Sequence, residues 1–272
     1  MKTRIISGAV LAVATVLILM LNISYPITAV IVLALLAGIA SHEMLFGTKT
    51  VENKVAVTAA VLYSVIAQFA YEGYFPVAIL TYLYVLVIAL VALTKHQTFG
   101  VKQIGMSVSM PILLSFAFHC LVMLINATYG FGILYFILLF NFSSVSDIFA
   151  YFVGSAIGKH KMAPVISPKK SYEGLVGGIL GSFIGIVIIY FVFGAIFENN
   201  TLNIWVLLVA TPVFCLIGVM GDLFTSAIKR ECGIKDYGKL IPGHGGVLDR
   251  LDSILLVAPA LAIFLSFVEV VR

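Results

Sequence analysis

Charge is what this sequence has least of. Only 10% of its 272 residues are Asp, Glu, Lys or Arg, 12 acidic and 16 basic, against 62% that are hydrophobic. Polar faces are missing as well. Runs such as 10–20 and 184–197 carry no polar residues recurring at helical spacing, which excludes helices packed on a water-facing surface around a soluble core. Cysteine is scarce: Cys120 and Cys215 lie in apolar runs and Cys232 in a polar segment, giving neither a disulfide framework nor a metal-ligand spacing. No internal repeat relates the halves, which argues against a transporter built from repeated bundles. Two soluble-enzyme motifs are absent. GSAIGKH at 154–160 has the wrong spacing for a phosphate-binding loop, and His42-Glu43 is followed by Met44, Leu45 and Phe46, not by a second zinc-ligating histidine.

Long apolar runs are abundant. A bilayer core takes about 20 apolar residues per helix, because lipid offers the backbone no hydrogen bonds. Nine such runs are expected, at about 5–21, 27–46, 55–71, 76–94, 104–125, 131–153, 174–197, 203–224 and 253–270. The chain is therefore predicted to be an all-α, polytopic integral membrane protein forming one embedded domain. Its residues 1–130 are mostly plain spans, and its polar chemistry falls in 131–272. The first run is read as a retained helix, since no small-residue cleavage site precedes Tyr25-Pro26. With a cytoplasmic start, nine spans place every basic residue except Arg272 on the inner side, from Lys2 and Arg4 to Arg250. The net charge of +4 thus reads as a topology signal and not as nucleic-acid binding. Asn199-Asn200-Thr201, in a predicted outer loop, matches a glycosylation acceptor, a short pattern common by chance.

The remaining polar residues converge. Asp147 sits inside the sixth apolar run, where an acid costs about 2.5–3.5 kcal/mol unless it meets a cavity, cation or partner. Ser143, Ser144 and Tyr151 are expected on its helical face, and an interhelical hydrogen bond is the plainer alternative. The loop 159–174 then supplies Lys159, Lys161, Lys169 and Lys170, with Pro164 and Pro168 preventing helix. That composition suits phosphate and anionic headgroups equally. Gly154 and Gly158, then Gly174, Gly177, Gly178, Gly181 and Gly185, predict close helix packing. Downstream, residues 226–253 are the most charged part of the chain. Asp222, Ser226, Lys229 and Arg230 form one stripe if the eighth helix continues inward. Asp249 and Asp252, three apart, are expected on one face of the last helix. Gly243, Gly245 and Gly246 around His244 allow a turn whose amides can face phosphate oxygens. Carboxylates suit a hard cation held jointly with substrate phosphates, and lysines and arginines suit charge on a phosphoryl group in transfer.

The stretch Ser226-Ala-Ile-Lys-Arg-x4-Lys235-Asp-x-Gly-x2-Ile-Pro-x-His244-Gly-Gly-Val-x-Asp249-Arg250-Leu-Asp252 resembles the signature of the phosphatidate cytidylyltransferases. Asp147-x-x-Ala-Tyr, Gly154, Gly158-Lys159 and Ser167-Pro-Lys169-Lys170-Ser171-x-Glu173-Gly174 resemble that family's second patterned region. The resemblance covers about a quarter of the chain. It implies that CTP and phosphatidate, a membrane lipid, become CDP-diacylglycerol and pyrophosphate. It also implies a Mg2+ requirement, with a second cation left open, and a homodimer; the lysine asymmetry places its site at the cytoplasmic face of the plasma membrane. Asp222 and Asp249 are implied as leading metal ligands, with Asp147 and Asp252 nearby. Lys229, Arg230, Lys235 and Arg250 become candidates for phosphate contact, and His244 for a phosphate or pyrophosphate hydrogen bond. Lys169, Lys170, Ser171, Ser226, Gly245 and Gly246 are the substrate-binding candidates. A different membrane phospho-group transferase is the alternative enzyme; a CDP-alcohol phosphotransferase would show an acid cluster of the form D-x2-D-G-x2-A-R, which is absent.

Overall fold

The computed structural model describes residues 2–73, 75–127, 130–197 and 201–271, with the side chains of 2–4 left aside. The glycosylation acceptor's Asn199 and Asn200, the side chains of Lys2 and Arg4, and Arg272 lie outside the described residues.

Among the described residues ten α-helices follow one another: α1 Lys2–Ser24, α2 Ile27–His42, α3 Lys54–Tyr71, α4 Val77–Thr94, α5 Val101–Ile125, α6 Gly132–Phe140, α7 Ser146–Ile157, α8 Tyr172–Ile196, α9 Ile204–Glu231 and α10 Ile254–Phe267. Among the described residues, eight helical segments are long and apolar enough to cross a membrane, α6 and α7 counting as one through a linking π turn. The expected ninth, α10, has 14 residues and an internal Pro259. At 1.5 Å per residue it extends about 21 Å, less than a hydrocarbon core of about 30 Å. The polytopic all-α class stands, and a small sheet adds to it. The basic loop forms a hairpin of β1 Lys161–Ala163 and β2 Ser167–Ser171, pairing Lys161 with Ser171 and Ala163 with Ser167. Pro164 falls in the turn of this hairpin and Pro168 in β2.

The chain divides into two compact units. The first comprises 1–130 with 229–251, and the second 131–228 with 252–272. The charged 229–251 segment therefore packs with the amino-terminal spans. In the first unit, α2, α3 and α5 pack on one another and α4 lies against α3 and α5. Its core includes Leu45, Val51, Tyr63, Tyr84, Ile88 and Phe99. Asn53 caps α3, its side-chain oxygen accepting from the amides of Val55 and Ala56.

In the second unit, α7 lies along α8, and the glycines explain how. A Cβ at Gly177 would fall 2.4 Å from Val153 Cβ, at Gly178 2.8 Å from Ser146 O, and at Gly181 2.2 Å from Phe149 Cγ. The glycine stripe predicted to bring helices together does so. Ser171 starts α8 as its N-cap, its hydroxyl oxygen accepting from Gly174 N at 3.1 Å. Buried Phe142 stacks on Phe214 behind these helices.

Two π turns, Glu43–Gly47 after α2 and Asn141–Val145 between α6 and α7, insert an extra residue into the helical ladder. The second alters the polar stripe expected around Asp147. Buried Ser143 donates back to Leu139 O at 2.8 Å, and Tyr151 is exposed.

Candidate active site

Each unit contains an aspartate joined to a lysine. In the first, α9 carries Lys229 past the apolar part of the helix, and Lys229 Nζ donates to Asp249 Oδ1 at 2.9 Å. Both groups are buried, the Asp249 side chain being 2% exposed. Asp249 Oδ2 accepts two backbone amides, Tyr237 N at 2.8 Å and Gly246 N at 3.0 Å. A carboxylate offers about four lone-pair directions, and three are thus occupied. The Lys229 ammonium also stands 5.2 Å from the centre of the Tyr237 ring.

Asp249 belongs to a short 3-10 turn, Leu248–Arg250, while α10 starts only at Ile254. The expectation that Asp249 and Asp252 share one face of the last helix is therefore corrected. Asp252 lies in the turn before α10, and its Oδ1 accepts from Ser253 N at 2.8 Å. The two acids also fall in different units. Gly243 and Gly245 adopt positive φ, 77° and 88°, as the tight 241–245 turn requires. Three of that turn's amides already have acceptors within the protein. His244 N and Gly245 N both donate to Ile241 O, and Gly246 N donates to Asp249. Val247 N and Leu248 N donate to the carboxylate of Glu43, at 3.1 and 3.0 Å. Of the predicted anion-binding amides, that of Gly246 thus holds one of the protein's own carboxylates, and the two amides that follow it hold another. His244 Nδ1 meets the Ser7 hydroxyl at 2.7 Å.

In the second unit, Lys170 at the end of β2 pairs with Asp222 of α9, Nζ to Oδ2 at 2.7 Å. Asp222 Oδ1 accepts from the Ser226 hydroxyl one helical turn later, at 3.1 Å, as the predicted stripe requires. The Asp222 side chain is 23% exposed, far more open than that of Asp249. Asp147 neighbours Lys170, Asp222 and Ser253. An acid inside an apolar run has thus found a cation nearby. Ser171 is buried in its capping role, whereas Lys169 is exposed. Arg230, Lys235 and Arg250 are exposed as well, Arg230 donating to Ile234 O at 3.3 Å.

Sequence reasoning missed Glu43, Tyr237 and Ser253. Glu43 had a signal, for an acid inside the 27–46 run raises the same question as Asp147. Tyr237 enters through a backbone amide and Ser253 as a neighbour of Asp147, and no residue pattern marks either.

The fold and these pairs define a polytopic α-helical membrane protein with lysine-clamped aspartates. The chain belongs to the cytidylyltransferase family, which residues 2–268 match. It is similar to the phosphatidate cytidylyltransferase of Staphylococcus haemolyticus (strain JCSC1435), 43% identical over 139 residues, 51% of this chain and 52% of that protein. The proteins of that name from Staphylococcus aureus (strain COL) and Staphylococcus epidermidis (strain ATCC 12228) are each 43% identical, over 135 and 134 residues, 49% of this chain and 50% of theirs. The chain spans about half the length of the curated relatives it matches.

Proposed function

We propose that this protein transfers the CMP moiety of CTP to phosphatidate, giving CDP-diacylglycerol and pyrophosphate. The observation that carries the reading is the lysine-clamped aspartate of each unit, Asp249 with Lys229 and Asp222 with Lys170, in a chain of the cytidylyltransferase family. An ionised oxygen of the lipid phosphate bonds to the α-phosphorus of CTP. The bond from that phosphorus to the oxygen bridging to the β-phosphate breaks, and pyrophosphate leaves with the electron pair. The nucleophile is already ionised, so no side chain need remove a proton, and positioning with charge neutralisation carries the rate.

Lys229 supplies a positive charge fixed in advance by Asp249, so little reorganisation accompanies the reaction. Exposed Lys169, Arg230, Lys235 and Arg250 attract the polyanions, and His244 Nε2 donates to a phosphate oxygen. Lys170 is the ammonium that answers Asp222 until phosphate arrives.

The donor set fits a hard divalent cation that arrives with phosphate. Among the described residues no three His, Cys, Asp or Glu side chains gather into a cage. Asp222 is partly exposed beside Asp147, and Asp249 keeps about one lone-pair direction open, an arrangement suited to one or two protein carboxylates completed by substrate oxygens. Asp222 and Asp147 would hold such an ion in the second unit and Asp249 in the first, with Asp252 a further candidate. Bound Mg2+ would neutralise charge on the triphosphate; a second cation is left open. A homodimer in the plasma membrane, with the charged loops facing the cytoplasm, completes the reading.

Purified protein in detergent, given CTP, Mg2+ and phosphatidate, should release pyrophosphate and form CDP-diacylglycerol in equal amounts, each only when the lipid is present. Pyrophosphate release that ignores phosphatidate, or a lipid product lacking the cytidine, would overturn the proposal.

A further inference from the structure

One buried carboxylate has no part in the chemistry above. Glu43, 6% exposed, opens the π turn that ends α2, and its two oxygens accept the consecutive amides of Val247 and Leu248. Those amides lead into the 3-10 turn that carries Asp249, and Gly246 N on the preceding residue donates to Asp249 itself. Two carboxylates therefore hold one strand of backbone, Glu43 through residues 247 and 248 and Asp249 through residue 246. The space around Glu43 is tightly filled. A Cβ on Gly246 would stand 2.4 Å from Glu43 Oε2, one on Gly238 2.4 Å from Oε1, and one on Gly47 2.4 Å from Tyr237 O. Three glycines thus let the loop close around this acid.

We propose that Glu43 is a positioning residue, a latch that fixes the 237–249 loop so that Asp249 and Lys229 keep their geometry in the free protein. The inference rests on the cytidylyl-transfer reading for its kinetic consequence. Its structural part stands without it. The carboxylate is required because two N–H donors converge on it. A glutamine has one acceptor oxygen and would turn an N–H2 group toward the second donor. The acid at 43 and the glycines at 238 and 246 form a single fitted set, drawn from sequence positions about 200 residues apart.

The test has two arms. In hydrogen–deuterium exchange of the solubilised protein without substrate, the 237–250 peptide of Glu43→Gln should exchange about tenfold faster than wild type, the expected loss for one charge-assisted hydrogen bond. In the CTP and phosphatidate assay, kcat per folded molecule should fall by about tenfold or more, because a loosened Asp249–Lys229 pair is no longer preorganised. A merely structural role would lower the yield of folded protein and leave kcat per folded molecule unchanged. Gly238→Ala approaches the same contact from the loop. Alone it should reproduce both effects, whereas in a Glu43→Ala background it should change kcat less than about twofold, its obstacle being gone. Unchanged exchange in Glu43→Gln refutes the latch. Faster exchange with unchanged kcat refutes its role in positioning, as does full additivity of Gly238→Ala with Glu43→Ala. A wild type lacking phosphatidate-dependent turnover would refute the functional reading, and the exchange arm would then decide the latch alone.

Discussion

Replacing Asp249 by Asn separates what this acid does for the fold from what it does for chemistry. The asparagine oxygen can still accept from the amides of Tyr237 and Gly246, but its N–H2 group must then face Lys229 Nζ, now 2.9 Å from Oδ1. Two donors oppose each other, and the ammonium of a lysine that is 8% exposed loses its counter-charge. Removing one partner of a buried pair costs about 3–5 kcal/mol. The Tyr237 ring over the ammonium and the ability of a lysine to reach toward water favour the lower end, about 3 kcal/mol. For a chain of this size that corresponds to about 6–10 °C in the melting midpoint. The assay is thermal unfolding of detergent-solubilised protein followed by size-exclusion, with turnover measured on the surviving monodisperse fraction. Asp249→Asn should lose both stability and activity. Adding Lys229→Met removes the uncompensated charge, so the double variant should recover most of the stability and none of the turnover. A double variant no more stable than Asp249→Asn alone would refute the reasoning, because the cost would then lie elsewhere than in the orphaned ammonium.

The more exposed pair should behave differently. Asp222→Asn should lower turnover about 10²–10³-fold while costing less stability than Asp249→Asn, and Asp147→Asn should do less to turnover. Glu52→Gln, at an exposed position outside the patterned regions, serves as the control and should be close to silent. In α8, Gly181→Ala should destabilise by about 1–3 kcal/mol in a thermal scan, since its Cβ would meet the Phe149 ring, whereas Gly194→Ala meets nothing within 4 Å and should not destabilise. Cysteines placed at exposed Lys161 and Lys235 should resist an impermeant thiol reagent in intact cells and react after lysis; labelling from outside would overturn the orientation.

Membrane class, the positions of the spans and the close packing of α7 on α8 were legible in the sequence because each depends on local properties. Hydropathy is summed along one helix, and glycines four apart mark a face wherever that face is buried. The Asp222–Ser226 stripe was legible for the same reason, since helical spacing alone brings the two together. The lengths of the last helix and of the 3-10 turn were not, because the apolar run 253–270 says nothing about where the backbone first closes helical hydrogen bonds. Neither were the partners of the polar groups. That Lys229 pairs with Asp249, that Lys170 pairs with Asp222, and that Glu43 takes the amides of Val247 and Leu248 are choices among many donors and acceptors, made when residues 20 to 205 positions apart are brought within hydrogen-bond reach. Residue types and spacing announced that charge would gather. Which carboxylate each amide and ammonium faces was decided by tertiary packing, since a buried polar group must find its partner wherever the fold delivers one.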